Sequence, residues 1–75
     1  MMADALQAGW FWMEKGHSCT REGVGVVWFV PGGWTGWYFN QLGIGAPVKS
    51  TLYSSVDEAI ASVEAAHIFS TDKIP

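Results

Sequence analysis

The chain has 75 residues and a formal net charge of −3. A chain of this length forms one domain that buries only about 60% of its unfolded surface, so its core is marginal. Its four basic residues are scattered, which excludes a basic patch for nucleic-acid phosphates, and no apolar run reaches the ~20 residues of a membrane span.

The composition also indicates a compartment and a source of stability. Cys19 is the only cysteine, so no disulfide forms within the chain. The first nine residues lack the basic start and the long apolar core of a secretory signal. We therefore expect a cytoplasmic protein with no membrane partner. Large apolar side chains, among them five tryptophans, or self-association must stabilise so small a domain.

The first predicted elements are a short helical turn at residues 2–9 and an aromatic strand at 9–15. The polar segment GHSCTREG, residues 16–23, is interpreted as a connection between strands. Gly16 and Gly23 are its natural turn points.

A hairpin follows. Residues 24–30, VGVVWFV, are β-branched and aromatic and predict a strand that ends at Pro31. Gly32 and Gly33 tolerate the positive φ that a two-residue turn requires. The return strand is expected at 35–41.

The remaining segments predict a loop, an edge strand and a helix. LGIGAP at 42–47 is interpreted as a loop, and VKSTLY at 48–53 as a short fourth strand at a sheet edge. SVDE at 55–58 fits a capping box, in which a serine hydroxyl accepts the N–H of a glutamate whose carboxylate reaches back. The helix is expected at 56–67, with one apolar stripe: Val56, Ala59, Ile60, Val63 and Ala66.

These elements predict an α+β fold in one domain, residues 1–75. A three- to four-stranded antiparallel sheet would carry one C-terminal helix packed on one face, in the order β-β-β-(β)-α. Residues 1–8 and 69–75 are expected to be loose termini.

The hairpin turn divides the strand side chains between two faces of the sheet. A turn at Gly32-Gly33, or one at Pro31-Gly32, gives the same division, whereas a three-residue loop would mix the faces. We expect the first face to lie under the helix; it carries Val24, Val26, Trp28, Val30, Trp37 and Phe39. The second face carries Val27, Phe29 and Tyr38, with either Trp10 and Trp12 or Phe11 and Met13 from the first strand.

Two apolar faces and a single helix leave one face without cover. An antiparallel sheet with one wet face normally alternates to polar residues on that face, and this sequence does not. Three occupants stay open: the chain's own ends, a second copy in a homodimer, or another protein or ligand.

Catalytic and metal-binding chemistry is not indicated. His17 and Cys19 form an H-x-C pair, but zinc requires three or four protein ligands. His67 is the only other histidine, and there is no G-x-S-x-G element. We predict no enzyme, no cofactor and no metal site.

The stretch GWTGWYFN…STLYSSVDEAIASVEAAH resembles small proteins common in phage and prophage genomes, in which W…G-W strands precede an F-x-S-x-x-E-A…A helix. The likeness covers residues 24–67. HicB-type antitoxins, in their amino-terminal half, and the arm-type DNA-binding domain of phage integrases have a comparable order. No functional residue is carried over. The resemblance implies a phage-encoded inhibitor that binds a host defence or nucleic-acid-handling protein.

We therefore predict a non-enzymatic protein–protein interaction module, a homodimer, that acts through an aromatic sheet face. An acidic chain suits a basic host protein as partner. The expected contact residues are Phe29, Trp34, Tyr38 and Val27. The alternative is a small nucleic-acid-binding or regulatory domain that stacks bases on the same aromatic rings.

Overall fold

The computed structural model of the chain describes residues 6–48 and 52–72. It confirms an α+β fold with an antiparallel sheet and one C-terminal helix, with five strands where three or four were predicted. Each strand pairs with its neighbour in the chain, so the sheet order is β1-β2-β3-β4-β5. The elements are β1 (Phe11–Glu14), β2 (Ser18–Arg21), β3 (Gly25–Val30), β4 (Gly33–Phe39), β5 (Gly45–Pro47) and α1 (Val56–Asp72).

The segment interpreted as a polar connection contains β2, so that interpretation is wrong. Its turns are where the glycines predicted them, with φ of +80° at Gly16 and +79° at Gly23. Between the turns, Cys19 points into the core while Ser18 and Thr20 lie on the other face. A strand whose inward residues are one cysteine and one arginine lacks the β-branched pattern that predicts strands.

The β3–β4 hairpin uses the second of the two turns considered. Val30 pairs with Gly33, so Pro31 and Gly32 are the central turn residues, and Gly32 has a φ of +99°. This register is shifted by two residues from the Gly32-Gly33 turn. The division of side chains between the two faces is therefore unchanged.

The fourth predicted strand is displaced toward the N-terminus. Residues Gly45–Pro47, within the predicted loop, form β5 along β4. The predicted strand at 48–53 lies partly outside the described residues. At its ends, the Val48 N–H donates to the Gly36 carbonyl (3.0 Å), and Tyr53 exchanges two backbone hydrogen bonds with Trp34 (2.9 Å each).

The helix begins where the capping box predicts and extends further than expected. The Ser55 hydroxyl accepts the Glu58 N–H at 3.2 Å, and the Glu58 carboxylate accepts from the N–H and the hydroxyl of Ser54. The helix continues to Asp72, so residues 69–72 are not a loose terminus. Residues 1–5 and 73–75 lie outside the described residues, and Leu6 packs against the core.

The helix covers the second face, so the prediction that Val26, Trp28 and Trp37 lie under it is wrong. The buried core contains Trp10, Cys19, Val27, Val48, Ala59, Ile60 and Val63. Gly25 and Gly36 lie side by side on the covered face, and Val63 of the helix sits against both. Two bare backbone positions allow the close approach that the bulky rings of the first face would prevent.

Candidate docking surface

The sheet face opposite the helix is here named the open face. The strand registers place on it Phe11, Ser18, Thr20, Val26, Trp28, Val30, Thr35, Trp37, Phe39 and Pro47. One cross-strand row spans all five strands, from Phe11 through Thr20, Val26 and Trp37 to Pro47. Side chains in one such row are direct neighbours, so this row forms a continuous surface.

The aromatic side chains of the open face differ in exposure, and two of them pack against the sheet backbone. Phe11 is 71% exposed and Trp37 is 42% exposed. The rings of Trp37 and Phe39 lie over Gly45, where a Cβ atom would approach them to 3.1 and 3.3 Å. One side of each of these two rings therefore faces the sheet backbone, while Trp37 stays partly accessible on the other side.

Within residues 6–48 and 52–72, no element packs on the open face. The helix contacts β3 and β4 from the other side. The smallest extent of the molecule is 15 Å, which fits a sheet and a helix but not a third layer at a spacing of ~10 Å. As predicted, the sheet has two apolar faces and one helix to cover them. The helix covers the second face, however, and the first face is the one left open.

The open face is uncharged apart from its edge, as far as the described residues show. Glu14 lies at the β1 end, paired with Ser18. The Arg21 guanidinium is on the helix side, where it donates to the Glu64 carboxylate at 2.8 Å. The Thr20 hydroxyl donates to the Gly25 carbonyl at 2.8 Å, so this polar group already has a partner within the chain.

The predicted contact residues lie on the helix side. Val27 is 0% exposed and cannot touch a partner. Tyr38 and Trp34 are half-buried and pack against the core. Phe29 is 50% exposed, and its ring meets that of Trp34 edge-on, with centroids 5.2 Å apart. The ring centroids of Trp12 and Trp34 are 6.4 Å apart, so the rings of Phe29, Trp34 and Trp12 form a small cluster near the hairpin end.

Sequence reasoning missed Trp28 and Trp37 because it placed them in the core. A signal for the correct placement was present in the sequence. Gly25 and Gly36 belong to the second face under either turn considered, and in the observed register Gly36 pairs with Val27, two residues from Gly25. A face with two such glycines is the one that a helix can approach closely.

The thiol and imidazole groups have structural surroundings. Cys19 has no exposed surface, and burial raises the pKa of its thiol to about 11. A thiol that stays protonated at neutral pH is a poor nucleophile and a poor metal ligand. His17 is exposed in the β1–β2 turn. The His67 Nδ1–H donates to the Phe39 carbonyl at 2.6 Å, which ties the helix to the end of β4.

The described part of the chain contains no cluster of three or more His, Cys, Asp or Glu side chains placed to hold a metal ion. It also has no helix of the length and apolar character needed to cross a membrane.

Two shallow cavities flank the helix. The first, of about 190 Å³, lies between Arg21, Val24 and the helix residues Glu64, His67 and Ile68. The second, of about 420 Å³, lies between the second half of the helix and the β4–β5 edge. Its two serines bond within the chain, Ser62 with the Tyr53 hydroxyl and Ser70 with the His67 carbonyl. In the first, Arg21 pairs with Glu64 and the His67 Nδ1–H donates to the Phe39 carbonyl, so the polar groups named in both cavities already bond within the chain.

The open face is thus an extended, mostly apolar surface that no described element covers. Comparison with known proteins adds no family to this description: no family model, curated protein or solved structure matches the chain.

Proposed function

We propose that this protein is a non-enzymatic protein-interaction module whose docking surface is the open face. One observation carries the proposal: an uncharged row, apolar except for Thr20, crosses all five strands and has no described element over it. Exposed apolar patches of this kind on small proteins mark interaction surfaces. Tryptophan and phenylalanine are also among the side chains that most often dominate the binding energy of an interface.

The charge distribution supports a partner with an uncharged, apolar surface. A basic partner would gain little at the open face, since the acidic Asp57, Glu58 and Glu64 belong to the helix on the opposite side of the sheet. Nucleic acid is also a poor fit. Base-stacking surfaces combine aromatic rings with cations, and here Arg21 and the rings of Trp28 and Trp37 are on opposite faces.

Hydroxyl-radical footprinting of tryptophan and phenylalanine side chains tests the proposal. The purified chain at low concentration is compared with the same chain in a nuclease-treated extract of the cells that produce it. We expect oxidation of Trp28 and Trp37 to fall in the extract. Phe29, an aromatic of similar exposure on the other side, is the internal control and should keep its oxidation rate.

Two results would contradict the proposal. Unchanged oxidation of Trp28 and Trp37 would show that nothing docks on the open face. Protection that appears only when the nuclease is omitted, and that fades steeply with salt, would favour the nucleic-acid alternative.

A further inference from the structure

We infer that the partner that docks on the open face is a second copy of this chain. The inference rests on the proposed function, because it names the occupant of the same surface. The two sheets would pack face to face at about 10 Å, related by a two-fold axis near Trp28 on the central strand β3. The product is a four-layer dimer in the order helix, sheet, sheet, helix.

The first argument is self-complementarity. A two-fold interface brings the same patch of both molecules together, so any charge at its centre would meet a like charge. The described rows at the centre of the open face contain only Ser, Thr, Val, Trp and Phe side chains, and Glu14 lies at the edge. Such a surface is compatible with itself without any change of sequence.

The second argument is area. The five strands have four, four, six, seven and three residues, so the sheet face measures roughly 16 × 24 Å and a face-to-face pair removes about 800 Å² from water. This value is below that of stable specific interfaces and is typical of weak, transient complexes, which agrees with a reversible dimer.

The third argument is the small core of the single chain. Of its five tryptophans, only Trp10 is buried, and the largest completely inaccessible side chains among the described residues are Ile60, Val27 and Val63. A domain of this size with a free cysteine has no disulfide to compensate. Burial of Trp28 and Trp37 between two sheets supplies the apolar area that the single chain lacks.

Net charge does not oppose the pairing. Each chain carries −3, but the helix acids Asp57 and Glu58 would lie on the outer layers of the dimer. Three layer spacings of about 10 Å separate the two helices, whereas the Debye length at physiological salt is about 8 Å. Repulsion between the two helices is therefore largely screened.

Sedimentation measurements of molar mass between about 1 µM and about 1 mM test the inference, since a dimer held by this area should dissociate within that range. We expect the mass to rise from 8.2 kDa toward twice that value. Trp37→Lys should raise the dissociation constant at least 30-fold or so, because it buries a charge at the interface centre. The matched control is Phe29→Lys, which charges the helix side and should leave the mass unchanged.

Circular dichroism and thermal unfolding first establish that each variant is folded. If Trp37→Lys fails to fold, Thr35→Lys places the charge beside Trp28 with no loss of an aromatic ring. Because Thr35 lies on the same face, this variant should also weaken the dimer.

The outcomes separate the inference from the proposed function. A wild-type chain that stays at 8.2 kDa throughout overturns the dimer, while protection of Trp28 and Trp37 in the extract would still support a different protein partner. A wild-type dimer that folded Trp37→Lys and Thr35→Lys leave intact would also overturn the inference, because the dimer interface would then lie elsewhere. The proposed function would fail separately, if Trp28 and Trp37 kept their oxidation rates in the extract.

Discussion

At the scale of single residues, Cys19 shows how a polar-looking segment contributes to the core. Its side chain lies opposite Val27 on the face that the helix covers, and burial raises the pKa of its thiol to about 11 from an ordinary 9.0. Between these two values the unfolded chain has lost the thiol proton and the folded chain has kept it. The contribution of Cys19 to stability is therefore complete below pH 9 and is lost as the pH rises through 11.

Urea denaturation between about pH 8 and about pH 11 measures this effect, and we expect the thiol to account for a loss of about 2 kcal/mol in the free energy of unfolding over this interval. Cys19→Ala is the control, because it removes the thiol and keeps every other ionisable group. The variant should be less stable than the wild type at about pH 8. Its free energy of unfolding should then fall by less than that of the wild type as the pH rises to about 11. Equal losses in both proteins would show that the thiol does not titrate as its burial requires.

At the scale of elements, the helix shows the closest agreement between local sequence and structure. Its N-terminus lies at the predicted position because Ser55 and Glu58 satisfy backbone N–H groups that the first turn leaves unpaired. Hydrogen bonds from the Ser54 hydroxyl and N–H lower the pKa of the Glu58 carboxyl below its usual range. The stabilisation that these hydrogen bonds to the Glu58 carboxylate provide is therefore complete above the usual pKa of a glutamate. It is lost as the pH falls through the lowered value.

Removal of the capping hydroxyl provides a test at this scale. Ser55→Ala deletes the acceptor of the Glu58 N–H and should lower the free energy of unfolding by about 1 kcal/mol. Ser70→Ala is the matched control. The Ser70 hydroxyl donates only to a helix carbonyl, that of His67, and alanine has the higher helix propensity, so stability should hold or rise slightly. Equal losses in the two variants, measured by chemical denaturation, would argue against the cap.

All strands pair with their neighbours in the chain, so they divide according to whether their own residues favour an extended backbone. The β3–β4 hairpin and the turns at Gly16 and Gly23 follow from local chemistry, and they were predicted. Strand β2 was not, because its residues become strand only by pairing with β1 and β3 on either side. Strand β5 was missed for a similar reason: a short Gly-Ala-Pro segment extends only because the edge of β4 offers it hydrogen bonds.

At the scale of the whole molecule, the contact between the sheet and the helix depends on two glycines of the covered face, Gly25 and Gly36. A Cβ atom at Gly36 would lie 2.8 Å from both the Val63 side chain and the Val26 carbonyl oxygen. Gly36→Ala should therefore push the helix away from the sheet and lower the free energy of unfolding by about 2 kcal/mol, as overpacking of a core does.

Gly45→Ala is the control on the open face, since its Cβ would meet only the Trp37 and Phe39 rings, which can turn toward solvent. We expect a loss under about 1 kcal/mol there, partly offset by the lower entropy of the unfolded chain. Thermal or urea unfolding of both variants measures the two losses in the free energy of unfolding. If Gly45→Ala costs as much as Gly36→Ala, close approach of the helix is not what the glycines provide.

The sequence by itself determined the kinds of element, the turns, the start of the helix and the division of side chains between two faces. The reason is that caps and turns depend on neighbouring residues, and a strand alternates with period two under either hairpin turn. Only the tertiary structure decided which face received the helix and which became the open face. Both faces are apolar, so hydrophobicity did not separate them. The choice came from shape, in the fit of Val63 against Gly25 and Gly36, which lie more than 25 residues away along the chain.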